Sequence, residues 1–277
     1  MDNKKIVVLG KGFLGKAFEG YDATVLDRSE FEYNFRNWNA DTVAYQIGKI
    51  VDKYNPVCIV NCIGSANTRQ CEDPNFWSVA RAINGDLPEL LSEACYEHGV
   101  KFVHISTGCV YDSNESPQKE DGFLVSHCKY VVSKLNGEYG CDELVDLIIR
   151  PRLYFGKNSD RNNLLTKIPK FTKFLTEENS YTSVETIVEA VIALVGNGCT
   201  GVFNVANTGT MTLKDVAELL MPERSPFEEI SADDLKEREG LFLVNNIMDI
   251  SKLEEYYSPR TLENELTDCY NSILNGN

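Results

Sequence analysis

The sequence predicts an α/β fold: a doubly wound parallel sheet, with a smaller C-terminal lobe closing over the carboxyl ends of its strands. Three observations carry this. Short β-branched apolar runs alternate with amphipathic stretches through the first half of the chain, and that alternation favours a parallel sheet covered on both faces. A glycine-rich turn, Gly10-Lys11-Gly12-Phe13-Leu14-Gly15, follows the first apolar run directly and opens a helical stretch. Past Pro151 the rhythm changes to helical stretches and loops.

Taken in order, Ile6–Leu9 reads as a strand, 13–19 as a helix start and Ala23–Leu26 as the second strand. Residues 41–53 carry Val43, Ile47 and Ile50 on one helical face, and 57–60 is the next strand. Two helical stretches, 74–82 and 87–96, precede a strand at 102–105. Lys129–Tyr139 is helical and 147–149 is strand. Beyond Pro151, 164–174 and 184–195 read as helices, 202–205 as a strand and 213–221 as a helix. Residues 222–236 read as an acidic, loop-rich stretch, and 250–275 as mostly helix. The expected division is a dinucleotide-binding domain over 1–150, with return elements near 184–207, and a mainly substrate-binding lobe over 151–277.

Of the 277 residues, 43% are apolar and 25% charged, ordinary for a globular protein. A net charge of −15 disfavours nucleic acid and anionic membrane surfaces. The densest basic stretch is Lys167, Lys170 and Lys173, spaced along one helical face. Nothing at the start reads as a secretory signal, and no run approaches a membrane span. The nine cysteines form no CxxC pair or zinc-site spacing, so no metal is expected. A reducing, cytoplasmic compartment is the simplest expectation.

In the glycine turn, Gly10 makes the bend, Gly12 lets backbone approach a pyrophosphate, and Gly15 lets the helix pack on the strand. Amides of the helix start, including those of Phe13 and Leu14, then face the phosphates. Asp27 closes the second strand where an acid would bind the adenosine ribose hydroxyls, which favours NADH. Arg28 beside it would accept a 2′-phosphate, which favours NADPH. Both cofactors stay open.

The next cluster follows the strand at 102–105: Ser106-Thr107-Gly108-Cys109-Val110-Tyr111. Tyr130 and Lys134 then stand at i and i+4 in a helix, on one face. Reducing a ketone requires a hydride and a proton for the forming alkoxide. A free tyrosine, pKa about 10, is a poor acid at neutral pH. An adjacent ammonium brings it towards neutrality. Thr107 can donate a hydrogen bond to the reacting oxygen. Taken alone, the tyrosine–lysine pair reads first as a surface helical pair; the glycine turn and the hydroxyl at a strand end turn the reading to catalysis.

These segments, with the stretch Tyr130–Glu138, resemble the extended short-chain dehydrogenase/reductases. Val60–Gly64, Ala82–Asn84, Ile148–Gly156 and Gly201–Asn207 resemble the dTDP-4-dehydrorhamnose reductase branch, over nearly the whole chain. The resemblance implies a Rossmann fold and a catalytic set of Thr107, Tyr130 and Lys134, with Lys134 also on the nicotinamide ribose. It places Cys62, Ile63, Gly64 and Asn84 at the cofactor. It implies a UDP- or dTDP-linked 4-keto-6-deoxyhexose as substrate and a homodimer as the assembly.

One departure is informative. The reductases usually carry Asp-Tyr where this chain has Gly108-Cys109. The Thr-Gly-Cys run resembles instead the bifunctional 3,5-epimerase/4-reductases of UDP-rhamnose synthesis, where the cysteine is an epimerase acid/base. Asp160–Ile168 resembles the stretch whose lysine, here Lys167, is the second epimerase group; 244–253 matches more loosely. Protons on carbons flanking a ketone are acidic, and inversion requires a base on one face and an acid on the other. A thiol and a partly desolvated lysine suit those roles. The bland readings stand beside these: Cys109 as a small buried side chain, Lys167 as a solvated helix lysine. Arg150 and Arg152 read either as structural ion pairs or as ligands of the substrate diphosphate. The expectation is NAD(P)H-dependent 4-keto reduction with 3,5-epimerase activity in one site. The rivals are a monofunctional reductase and a catalytically silent, reductase-like regulatory subunit.

Overall fold

A computed structural model of the protein describes residues 5–32, 38–112, 116–239 and 245–276. Val244, which opens one of the stretches read above, lies outside them. The chain forms two compact units. One gathers Met1–Val110, Ser126–Arg150 and Leu194–Phe203; the other gathers Tyr111–Val125, Pro151–Ala193 and Asn204–Asn277.

The first unit is built on a six-stranded sheet. Its strands are β1 (Ile6–Leu9), β2 (Ala23–Leu26), β3 (Cys58–Asn61), β4 (Lys101–Ile105), β5 (Leu147–Pro151) and β6 (Gly201–Val205), in the order β6-β5-β4-β3-β1-β2. The pairs β1–β2, β1–β3, β3–β4 and β4–β5 are parallel. All four residues of β3 and all five of β5 are buried, as expected of strands covered on both faces. Strand order reverses between β1 and β3, and such a switch point opens a crevice at the strands' carboxyl ends. The glycine turn and Cys62–Gly64 leave the sheet at that point.

Helix α1 (Phe13–Ala17) follows the glycine turn, and α2 (Ala40–Tyr54) follows β2. Asn39 caps α2 through Thr42 in a reciprocal pair, and Asn55, at φ 42°, ends it in the left-handed region. Its buried residues are Val43, Ile47 and Ile50, the predicted face, each contributing about 1.5–3 kcal/mol by burial. The helical stretches at 74–82 and 87–96 differ from expectation. The helix starts at Trp77 and runs into α3 (Leu87–Glu97) through a π-helical segment, Ala82–Asp86. Asn84-Gly85-Asp86 widens the helix without breaking it. Helix α4 (Lys129–Tyr139) has the predicted bounds.

The second unit has its own core, in which Phe155, Leu165, Ile168, Phe174, Tyr181 and Leu266 are fully buried or nearly so. Here the sequence reading is corrected twice. The stretch 164–174 is helical only over Leu164–Lys167; Pro169 holds the next turn as a 3₁₀ segment, Ile168–Lys170, and Lys173–Leu175 is a strand. Lys167, Lys170 and Lys173 therefore share no helical face. The acidic, loop-rich stretch carries more regular structure than expected. Glu228–Ile230 pairs in parallel with Lys173–Leu175, and Ala232–Glu239 is a helix. Lys173 pairs with Glu228, an ion pair joining the two strands. Among the described residues, no helix is long and apolar enough to cross a membrane.

Candidate active site

The glycine turn divides its work among three residues. Gly10 sits at φ +102°, a conformation that L side chains rarely adopt, and its N–H donates to Leu26 O at 3.0 Å. A Cβ on Gly15 would lie 1.9 Å from the Gly10 carbonyl oxygen, so α1 packs on the turn only because that position is glycine. A Cβ on Gly12 would meet nothing within 4 Å; it would project into open space, where a pyrophosphate would approach. Gly12 is the N-cap of α1 and offers no side-chain cap. Phe13 and Leu14 bury their side chains, so their amides are what they present. The residues present therefore fit a dinucleotide phosphate.

At the end of β2, the Asp27 carboxylate accepts Ser29 N–H at 2.7 Å and Ser29 Oγ–H at 2.6 Å. These bonds hold its carboxyl below the ordinary value. Arg28 beside it is exposed. After β3, Cys62 N–H donates to Leu9 O at 2.9 Å, and Ile63 N–H to Asn61 Oδ1 at 3.0 Å. Burial pushes the Cys62 thiol up to about 12, so it remains a neutral thiol. Gly64 is exposed. Asn84 is turned to the protein: Oδ1 accepts Ser65 N–H at 2.8 Å, and Nδ2 donates to Ser65 O and Ser133 Oγ at 2.9 Å each. It shapes the Gly64–Ser65 loop from the π-helical segment and ties that loop to α4.

Lys134 is buried and its Nζ donates to Ile105 O at 2.7 Å. Burial lowers its pKa to about 8, with the Glu138 charge pulling the other way. Tyr130, also buried, stands one turn earlier on α4. Thr107 follows two residues after Ile105, at the carboxyl end of β4, and its Oγ accepts Cys109 N–H at 3.2 Å. Cys109 is half-buried on the 3₁₀ turn Gly108–Val110. Thr107, Cys109, Tyr130 and Lys134 thus all belong to the first unit. Lys167 belongs to the second; its Nζ donates to Asn162 O at 3.1 Å, and burial lowers its pKa.

Sequence reasoning gave no role to Ser106 or Glu138. Glu138 accepts three bonds from Arg150, Nε to Oε1 at 3.1 Å and to Oε2 at 3.2 Å and Nη2 to Oε2 at 2.6 Å, and another from Ser106 Oγ. For Arg150 the ion pair is thereby the structural fact. Arg152 lies in the second unit and donates through Nη2 to Asn179 Oδ1 at 2.9 Å. His104 is packed beneath the site, held neutral by burial and by the charge of Lys134.

The model of one family, the RmlD substrate binding domain, matches residues 5–238. The chain belongs to that family. A curated relative in Arabidopsis thaliana, the trifunctional UDP-glucose 4,6-dehydratase/UDP-4-keto-6-deoxy-D-glucose 3,5-epimerase/UDP-4-keto-L-rhamnose-reductase RHM1, is 23% identical over 273 residues. The alignment takes in 91% of this chain and 39% of RHM1, so the chain spans about two fifths of that relative's length. Two solved structures share the RmlD-type fold at a TM-score of 0.80. The dTDP-4-dehydrorhamnose reductase of Bacillus anthracis, in complex with NADP, is 19% identical and aligns over 95% of this chain and 97% of its own. The L780 UDP-rhamnose synthase of Acanthamoeba polyphaga mimivirus is 17% identical over 97% and 99%.

Proposed function

We propose that this RmlD-family chain reduces a nucleotide-linked 4-keto-6-deoxyhexose with NADPH or NADH, in the formation of an L-rhamnose-type sugar. The observation that carries the reading is the Lys134–Ile105 bond, which places a buried amine one turn from Tyr130 and against the strand end that bears Thr107. The activities named for RHM1 and the L780 synthase, and the NADP in the Bacillus anthracis structure, support the substrate class and the cofactor.

Bound NAD(P)H supplies the hydride to C4. Gly10, Gly12 and Gly15, with the amides of Phe13 and Leu14, would hold its pyrophosphate; Asp27 or Arg28 would meet the adenosine ribose. Cys62, Ile63 and Gly64 would line the cofactor's path at the switch point. Tyr130 donates its phenolic proton to the forming alkoxide, Lys134 as an ammonium stabilises the phenolate left behind, and Thr107 donates a hydrogen bond to the same oxygen.

The finer reading adds 3,5-epimerisation before reduction. In it the Cys109 thiolate removes a proton from a carbon flanking the ketone, and Lys167 returns one to the opposite face. The half-buried position of Cys109 two residues from Thr107, and the lowered pKa of Lys167, support the assignment. The test is turnover of UDP- and dTDP-4-keto-6-deoxyglucose in deuterium oxide without added epimerase. Deuterium at the flanking carbons together with a rhamnose product is expected. Cofactor oxidation without exchange leaves a monofunctional reductase, and silence with both sugars overturns the reading in favour of a non-catalytic role. Cys109→Ser is expected to abolish exchange while reduction of pre-epimerised substrate continues within about threefold of wild type.

A further inference from the structure

We propose that Glu138 is a positioning residue: with Arg150 and Ser106 it forms a buried clamp that sets the register of α4 on the carboxyl end of β4 and keeps a negative charge one helical turn from Lys134. The inference rests on the reductase reading above and names residues to which that reading gives no step.

Two rungs join the helix to the strand end. Lys134 Nζ donates to the carbonyl of Ile105, and the hydroxyl of the next residue, Ser106, donates to Glu138 Oε1. Lys134 and Glu138 are i and i+4, one above the other on α4. Both rungs therefore grip one dipeptide, Ile105-Ser106, and the residue after it is Thr107. Arg150 closes the clamp from β5, taking the carboxylate side-on through Nε and Nη2, a geometry that fixes the carboxylate plane as well as its distance. Ser106 N–H also donates to Ile149 O at 2.7 Å, next to Arg150. Three elements that carry Thr107, Tyr130 and Lys134, or lie beside them, are locked through one carboxylate.

Ser106, Glu138 and Arg150 are all buried. A buried ion pair recovers little more than its desolvation cost, so its presence here is weak as a stability device. It is strong as a geometric one, because loss of registry of about 1 Å between reacting groups can cost about a hundredfold in rate.

The charge has a separate consequence. Lys134 is faced by Glu138 and Cys141 from the α4 region, by Cys62 beyond β3 and by His104 on β4, with Arg150 engaged on Glu138. Burial keeps Cys62 and Cys141 as neutral thiols and His104 as a neutral ring. Glu138 is thus the group whose charge opposes the desolvation of Lys134 and keeps it an ammonium near neutral pH.

The test compares wild type with Glu138→Gln and Ser106→Ala in the full chain. Lysine labelled with ¹³C reports the titration of the Lys134 ε-carbon, assigned by its loss in Lys134→Met. In Glu138→Gln that titration is expected about one pH unit lower, and the basic limb of kcat moves down with it. A folded Glu138→Gln in which Lys134 titrates at the wild-type pH overturns the electrostatic half. Ser106→Ala leaves every charge in place; kcat is expected to fall about tenfold, with the basic limb, KM and NAD(P)H affinity unchanged. Wild-type kcat in that variant overturns the positioning half. If Glu138→Gln does not fold, Glu138→Asp replaces it: the shorter acid keeps the charge, and a basic limb at the wild-type pH with kcat lowered as in Ser106→Ala is expected. A limb displaced in Glu138→Asp, or wild-type kcat, overturns the proposal. If wild type turns over neither keto-sugar, the reductase reading falls, while the carbon titration still decides this one.

Discussion

Lys134 couples the chemistry of the site to the stability of the fold. Its pKa is about 8 in the folded chain against 10.5 for an ordinary lysine, so the folded state loses the proton first. The sign follows from proton counts: between about pH 8 and 10.5 the unfolded chain holds the proton and the native chain does not, so stability rises with pH through that window. Below pH 8 both states are protonated and the burial cost of the ammonium stands in full, of order 3 kcal/mol. The difference in unfolding free energy between wild type and Lys134→Met should therefore move in favour of wild type from pH 8 to 10.5, and stay flat between pH 6 and 7. Denaturant titrations of the two proteins across that range check it. Tyr130 and Lys134 were legible as a pair because a spacing of four is a statement about one helix face. Ser106, Glu138 and Arg150 were not, because they meet from a strand end, a helix and a second strand. No spacing along the chain encodes that meeting.

At the scale of elements, the turn before α1 separates two glycines that look alike in sequence. Gly15 is glycine for the fold: an alanine methyl group would overlap the Gly10 carbonyl. Gly15→Ala should lower stability by about 1–3 kcal/mol and lose NAD(P)H binding with it. Gly12 faces open space, so Gly12→Ala should melt with wild type and still lose NAD(P)H affinity. Thermal melts and cofactor fluorescence on the pair separate the two roles. The strands of the first unit were legible nearly to the residue, because each is a short β-branched run bounded by glycine, proline or charge. The second unit was less so. The helical spacing of Leu164, Leu165, Ile168 and Phe171 continued past Pro169, where the backbone cannot. The strand at Glu228–Ile230 presents two exposed glutamates and one buried isoleucine; what makes it a strand is its partner at Lys173–Leu175, over fifty residues earlier. The side-chain bonds of Asn84 to Ser65 and Ser133 depend on the π-helical turn and leave no periodic trace.

For the whole molecule, the net charge of −15 sets a self-repulsion that salt relieves. Raising NaCl from about 10 mM to about 150 mM shortens the screening length from about 30 Å to about 8 Å. The melting temperature should rise by about 2–4 °C for each 1 kcal/mol of repulsion removed, and scanning calorimetry at the two salt levels reads it. A fall in melting temperature would mean that the pairs of opposite charge, such as Lys11–Glu19 and Lys214–Glu229, outweigh the net excess. The strand order carries a further consequence. Strand β5 is laid between β4 and β6, and β6 is supplied by residues some fifty positions later. A chain leaving the ribosome, or one cut anywhere between 152 and 200, holds β5 with one row of backbone groups unclaimed, in a strand that opens Leu-Ile-Ile. Such an edge is a template for any other extended segment. Translation past residue 205 is therefore the step that closes the sheet, and fragments ending earlier are where aggregation of this protein should begin.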